Sequence, residues 1–192
     1  PEEPQTFAEA WYHKDPEQRR LWREAIIKEF GSMNKRRVWK KVKSIQKPEG
    51  RRMIGCKWIF KIKRNGTFKA RLVALGYSQI PGVDFTENFS PVVNDTTLRI
   101  VLTRMLVEQL KGKVIDVESA FLYGDLEHEI YMKMPEGYNE VEKDLEEGDC
   151  LLLEKAIYGL VQAARQFWKK FTRAITTIGF RVSKADPCLL YI

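Results

Sequence analysis

The chain has 192 residues, of which 44% are hydrophobic, 11% aromatic and 31% charged, with 12 Gly and 8 Pro. That composition fits one globular domain with a sizeable core and excludes collagen-like and low-complexity classes, and no apolar run approaches the ~18 residues of a membrane-spanning helix. The net charge of +7 is uneven: residues 17–73 hold 19 Lys/Arg against 4 Asp/Glu, a balance of +15, while the remainder sums to −8, which predicts attraction to polyanions, nucleic acid first.

Pro1-Glu2-Glu3-Pro4 is acidic where a secretory leader is basic and then apolar, so secretion is not expected. Asp15-Pro16-Glu17-Gln18 predicts a helix start, with Asp15 as N-cap, Pro16 at the first helical position and Gln18 closing a capping box. Trp22, Ala25, Ile26, Glu29 and Phe30 follow at helical spacing, and Gly31 supplies a stop. Arg36 to Lys43 reads as a short strand and Lys47 to Gly50 as a turn. The clearest period-2 pattern follows: Ile54, Cys56, Trp58, Phe60 and Ile62 alternate with Gly55, Lys57, Ile59, Lys61 and Lys63. After Asn65-Gly66 the alternation resumes, with Phe68, Ala70, Leu72 and Ala74 against Lys69, Arg71 and Val73. A two-residue Asn-Gly turn would set Ile62 opposite Lys69 and mix the faces. A three-residue loop, Asn65-Gly66-Thr67, is therefore expected, with Lys63 opposite Lys69 and Lys61 opposite Arg71. Like charges facing one another destabilise a hairpin, so this face calls for an anionic partner or ample solvent.

Pro81-Gly82 and Pro91 break residues 76–94 into loop. A helix capped near Asn94 or Asp95 and ended by Gly112 sets Leu98, Val101, Leu102, Met105 and Leu106 on one face. Val114 to Val117 reads as a short apolar strand interrupted by Asp116, Glu129 to Met134 as an alternating strand, residues 136–149 as an acidic, mobile surface loop, and Leu151 to Leu153 as the start of another strand. The last long helix is expected from about Gly159 to Thr177, burying Leu160, Ala164, Phe167, Phe171, Ile175 and Ile178, with Gly179 as its stop. Ser183 to Ile192 ends as an apolar strand without a partner. Helices interleaved with hairpins give an α+β fold class.

His13 and His128 have no triad or zinc-site arrangement, and no glycine-rich phosphate loop is present. Cys56, Cys150 and Cys188 are odd in number and far apart, which points to buried thiols in a reducing compartment rather than to a disulfide framework. Asp116, ending an apolar strand with Glu118 two residues on and on the same side, is a candidate hard-cation site.

The string Asp116-Val117-Glu118-Ser119-Ala120-Phe121-Leu122-Tyr123-Gly124-Asp125-Leu126, followed by Glu129-Ile130-Tyr131-Met132 and Pro135-Glu136-Gly137-Tyr138, resembles the reverse transcriptase of copia-type retrotransposons. So do Lys69-Ala70-Arg71-Leu72-Val73-Ala74, Gly82-Val83-Asp84-Phe85, Phe89-Ser90-Pro91-Val92-Val93, and Ile157-Tyr158-Gly159-Leu160 with Gln162. These ordered blocks cover about residues 20–192. The resemblance implies polymerase fingers and part of a palm, an antiparallel sheet backed by helices, with residues 1–16 as an N-terminal extension, 17–94 mainly fingers and 95–192 mainly palm. It implies RNA-directed addition of deoxynucleotides to a primer by two-metal phosphoryl transfer with Mg²⁺ or Mn²⁺. The implied partners are an RNA or DNA template with its primer, deoxynucleoside triphosphates, and the integrase and RNase H regions of a polyprotein, with no membrane. The implied location is intracellular, in cytoplasmic virus-like particles and the nucleus.

Residue by residue, Asp116 matches the first catalytic aspartate, with the Val117 carbonyl as a further metal ligand, and Phe121 matches the aromatic that packs under the incoming sugar and excludes a 2′-hydroxyl. Glu118 falls at a position the family leaves variable. Arg71 matches the arginine on the triphosphate, where a planar fork can bridge two phosphate oxygens, and Lys61 or Lys63 occupies the region of its lysine. Gly159 matches the close backbone approach to the templating pair. Lys57, Lys69 and Gln162 are expected on template or primer, and Arg165 on an acid of the palm. Three departures stand out. The hairpin at Asn65-Gly66 is short, Val161 and Ala164 replace a usual Lys and Pro, and the paired aspartates of the second metal motif do not occur in these 192 residues. Asp186-Pro187 cannot replace them, since it precedes the last strand. The expectation is a polymerase region inactive by itself, truncated before the second catalytic motif, with a non-catalytic nucleic-acid-binding relic as the alternative.

Overall fold

The side chain of Asp15 starts the longest helix, accepting the Gln18 backbone N–H at 2.8 Å, with Pro16 in the first turn. The computed structural model describes residues 2–192. In chain order the elements are α1 (Phe7–Trp11), α2 (Pro16–Lys35), β1 (Trp39–Lys43), β2 (Met53–Ile54), β3 (Cys56–Ile62), β4 (Phe68–Ala74), α3 (Asp95–Val107), β5 (Asp125–Met132), α4 (Tyr138–Val141), β6 (Asp149–Lys155), α5 (Ala163–Thr176), β7 (Arg181–Val182) and β8 (Leu190–Tyr191). The fold class is α+β, as expected. No helix among the described residues is long and apolar enough to cross a membrane.

α2 buries Trp22, Ala25, Ile26, Glu29 and Phe30, the face read from its spacing. It continues past Gly31 because Met33 is also fully buried, and core contact outweighs the helix cost of one glycine. The reciprocal half of the capping box is absent: Gln18 Oε1 is buried without a partner. α2 packs on the β3–β4 hairpin through aromatic edges, Trp22 meeting Phe60 at 5.4 Å and Phe68 at 4.5 Å, and Phe30 meeting Trp58 at 5.4 Å. α1 adds Phe7, Ala10 and Trp11 to the same core.

The hairpin loop has three residues, but it is Arg64-Asn65-Gly66, one position earlier than expected. Lys63 N–H donates to the Thr67 carbonyl at 2.9 Å and Gly66 N–H to the Lys63 carbonyl at 2.8 Å, with Gly66 at φ +79° supplying the left-handed step. The even positions still share the buried face, but the pairs change: Ile62 faces Phe68, Lys61 faces Lys69, and Ile59, not Lys61, faces Arg71. β1 begins at Trp39, and a second sheet runs β1-β6-β5-β2, drawing strands from both sides of residue 94. It is antiparallel except where β2 lies parallel to β5, so the expected all-antiparallel sheet is mixed at that edge.

Other expectations change for reasons of tertiary packing. β5 starts at Asp125, which pairs with Lys155 of β6. Residues 136–149 include α4, with Tyr138 buried against Phe30. α5 begins only at Ala163 and buries Ala163 and Gln166, leaving Phe171 and Ile178 exposed. α3 forms with Asn94 Oδ1 accepting the Thr96 N–H at 2.8 Å, yet it ends at Val107 and buries none of its residues. Residues 114–117 form no strand: nothing among the described residues pairs with them, and Val114 is 98% exposed. The last segment does find a partner, β8 pairing antiparallel with β7.

The turn 156–162 locks the hairpin to this second sheet. Ala156 N–H donates to the Gly124 carbonyl at 2.7 Å, and Ala74 N–H to the Tyr158 carbonyl at 2.8 Å. Gly159 sits at φ +89°, where a Cβ would lie 2.1 Å from the Ala74 carbonyl oxygen. Gly159→Ala should therefore combine backbone strain with a backbone clash and cost more than about 2 kcal/mol, read as a lowered urea midpoint followed by tryptophan fluorescence.

Candidate functional site

Sheet alternation sends Lys63, Lys69 and Arg71 to the hairpin face opposite the core. These three line one side of a cleft of about 320 Å³, residues 116–121 line the other, and Tyr158 completes it. The 116–121 segment is shaped by Ser119, at φ 54°, which turns the chain into one turn of 3₁₀ helix over Ala120–Tyr123 and drives Leu122 into the core. Gly124 then lies against the α5 backbone at Gln166 and Phe167. Phe121 is left half-buried, its ring edge-on to Tyr158 at 5.2 Å. On the facing side the Arg71 guanidinium sits 5.3 Å over the Tyr158 ring, a cation–π contact. Burial pushes the Tyr158 phenol above its usual value, and the Arg71 charge opposes that shift.

Asp116 and Glu118 are both exposed at the cleft. Among the described residues no three His, Cys, Asp or Glu side chains converge. The chain's own donors therefore do not make a site for a bare divalent ion. One carboxylate facing a cationic wall suits a cation only when phosphate oxygens arrive with it to complete the shell.

Of the residues expected in the site, Asp116, Val117, Phe121, Lys63, Lys69 and Arg71 meet in this cleft, together with Glu118, which the resemblance had set aside. Four others do not line it. Lys61 ends on the Glu3 carboxylate at 2.9 Å. Lys57 lines a different opening, with Gln5, Thr6 and Trp58. Gly159 is spent on the close approach to β4. Gln162 is buried, accepting from the Gln79 amide at 3.0 Å and donating to the Asp84 carbonyl at 3.1 Å, so it packs residues 79–84 onto the 156–162 turn and has no surface for template or primer. Arg165 pairs with Glu87, which the sequence places before α3. Asp186 is buried and accepts the backbone N–H groups of Asn94 at 2.9 Å and Cys188 at 2.8 Å, which holds its carboxyl below the ordinary range and ties it to the start of α3. Tyr158 also lines the cleft, its sequence signal an aromatic inside a recognised block, and Glu29, a carboxylate on an otherwise apolar helix face, lies buried behind the wall against Lys69.

The family described as reverse transcriptase (RNA-dependent DNA polymerase) matches residues 36–191. The chain belongs to this reverse transcriptase family. The retrovirus-related Pol polyprotein from transposon TNT 1-94 of Nicotiana tabacum is 38% identical over 98% of this chain and 14% of its own length. The corresponding polyprotein from transposon RE2 of Arabidopsis thaliana is 39% identical over 89% of this chain and 12% of its own length. The truncated transposon Ty1-A Gag-Pol polyprotein of Saccharomyces cerevisiae is 31% identical over 82% of this chain and 13% of its own length. The chain thus spans 12–14% of these copia-type relatives. No solved structure matches it.

Within this reverse transcriptase domain the buried amide network and the cleft cations should separate cleanly on substitution. Gln162→Ala leaves the Gln79 amide and the Asp84 carbonyl unpaired and should cost roughly 1–3 kcal/mol. Lys63→Ala, on the cleft surface, should stay within about 0.5 kcal/mol of the unaltered chain in the same urea titration.

Proposed function

We propose that the cleft between the β3–β4 hairpin and residues 116–121 is the deoxynucleoside triphosphate site of an RNA-directed DNA polymerase region. The observation that carries the reading is the convergence of a cationic wall, a carboxylate and a half-buried aromatic from segments some 50 residues apart, in a chain of the reverse transcriptase family. Arg71, held over the Tyr158 ring, binds triphosphate oxygens through its planar fork, and Lys63 and Lys69 add point charges. Phe121 offers a flat apolar surface to the sugar and leaves no room for a 2′-hydroxyl. Asp116 and the Val117 carbonyl hold a divalent cation, Mg²⁺ or Mn²⁺, that comes with the phosphates. That ion supplies charge neutralisation on the transferring phosphoryl group. A primed RNA or DNA template and the further regions of a Pol polyprotein are the partners of the longer protein, working inside the cell.

The 192 residues contain no adjacent aspartate pair, and Asp186 is committed to backbone N–H groups. Two-metal transfer needs carboxylates that set two ions about 3.5–4 Å apart, so this chain by itself binds nucleotide and nucleic acid without extending a primer. Titration with deoxynucleotide should show binding that Mg²⁺ strengthens, and Asp116→Asn should abolish that strengthening while the far-UV spectrum is unchanged. Lys63→Glu with Arg71→Glu should weaken primer–template binding more than about tenfold and flatten its log–log salt slope by about 2. Asp116-dependent synthesis on poly-rA/oligo-dT by the 192 residues alone would overturn the binding-only reading. Nucleotide binding indifferent to both Asp116 and Arg71 would overturn the site.

A further inference from the structure

β3 occupies only one edge of β4, so the N–H groups on the other edge must find acceptors elsewhere. Ala74 N–H uses the Tyr158 carbonyl, and Leu72 N–H points to Glu29 Oε1 at 3.4 Å. Glu29 is 2% exposed on the apolar face of α2, beside Ile26 and Phe30, where an unpaired carboxylate is strongly disfavoured. Its Oε2 lies 3.7 Å from Lys69 Nζ. Lys69 in turn lines two openings: the cleft with Asp116 and Phe121, and an adjoining one of about 320 Å³ between α2 and the hairpin, lined by Glu24, Lys28 and Gly66. One ammonium therefore has a buried anion on the core side and, on the other, the space a polyanion would enter.

We propose that Glu29 is a positioning residue, an internal counter-ion that holds the Lys69 ammonium at the cleft wall and releases it to a bound triphosphate, taking up a proton from solvent as it does so. The inference rests on the nucleotide reading of the cleft. The groups that face Glu29 are Lys69 and Arg71 from β4 and Tyr158 from the 156–162 turn. Burial pushes the Glu29 carboxyl upward; Lys69 is the strongest opposing influence, followed by the Leu72 N–H and Arg71. When phosphate draws Lys69 away, that opposing influence goes and the buried carboxylate is left to protonate. Binding coupled to proton uptake must strengthen as pH falls through the range in which Glu29 takes its proton.

The test is calorimetric titration of the full 192-residue chain with inorganic tripolyphosphate, in buffers of different ionisation heat and between pH 6 and pH 8. Glu29→Gln keeps an oxygen for the Leu72 N–H and removes the charge. It should bind about fivefold more tightly at pH 7, as expected for removing one negative charge beside the site. It should also lose the buffer-dependent heat of proton uptake and show a flatter pH profile. The ligand's own titration is common to both proteins and drops out of the comparison. Lys69→Gln should bind more weakly and likewise take up no proton, and it carries the test if Glu29→Gln does not fold. Unaltered affinity and uptake in Glu29→Gln, or unaltered uptake in Lys69→Gln, overturns the counter-ion role alone. Failure of the unaltered chain to bind tripolyphosphate at all overturns the nucleotide reading of the cleft, and this inference with it.

Discussion

The outer edge of β4 is the constraint on which the site depends. A two-stranded ribbon is marginal in water and leaves one row of backbone groups unpaired on each strand. Here that row is closed from two directions, by a side chain of α2 at Leu72 and by a backbone carbonyl of the 156–162 turn at Ala74. The first contact puts a carboxylate behind the cationic wall. The second brings Tyr158 under Arg71 and beside Phe121. The same closure that satisfies the strand therefore brings Arg71, Phe121 and Tyr158 together in the cleft, and it requires Gly159 at the point of closest approach.

Folding also redistributes the charge asymmetry. Of the 19 cations between residues 17 and 73, seven take carboxylate partners, and most of those carboxylates come from outside the basic block. The acidic stretch before β6 supplies Asp144, Glu146 and Asp149 to Lys41 and Lys43 of β1. The pairs to Asp144 and Glu146 are exposed and contribute little stability, about 0–1 kcal/mol each, whereas the Asp149 side chain is covered. Their consequence is electrostatic: they quiet the β1 side of the molecule, whereas Lys63 and Arg71 on the hairpin face have no carboxylate partner among the described residues.

Support is uneven along the chain. α2, the hairpin and the second sheet share one core, in which each fully buried Trp, Phe, Ile or Leu contributes on the order of 1.5–3 kcal/mol. Residues 95–118 contribute nothing to it. α3 has its helix cap but no buried face, and residues 114–117 form no helix or strand. Asp116 thus hangs between an unburied segment and a well-packed one, since from Ser119 onward the chain is held by Leu122 and by the contact of Gly124 with α5. A metal-bound phosphate joining Asp116 to the hairpin would tie down the least supported stretch of the site.

The amino-acid sequence alone carries what depends on local periodicity and on short contiguous blocks. It specified the N-cap at Asp15, the buried face of α2, the two faces of the hairpin, the α+β class, the reverse transcriptase family, and Asp116, Phe121 and Arg71 as candidate site residues. It missed the hairpin register by one loop position because two three-residue loops sort the faces equally well, and only the left-handed Gly66 chooses between them. The tertiary structure decided which polar residues face a ligand and which face the protein. Gln162 and Lys61 look like surface contacts in one dimension, but their partners, Gln79, Asp84 and Glu3, lie about 60–80 residues away and no spacing rule reaches them. Glu29 is the reverse case. Helical spacing placed it on the core face, but its meaning comes from the free edge of β4, because a buried carboxylate is tolerated only where a backbone donor and a cation converge on it.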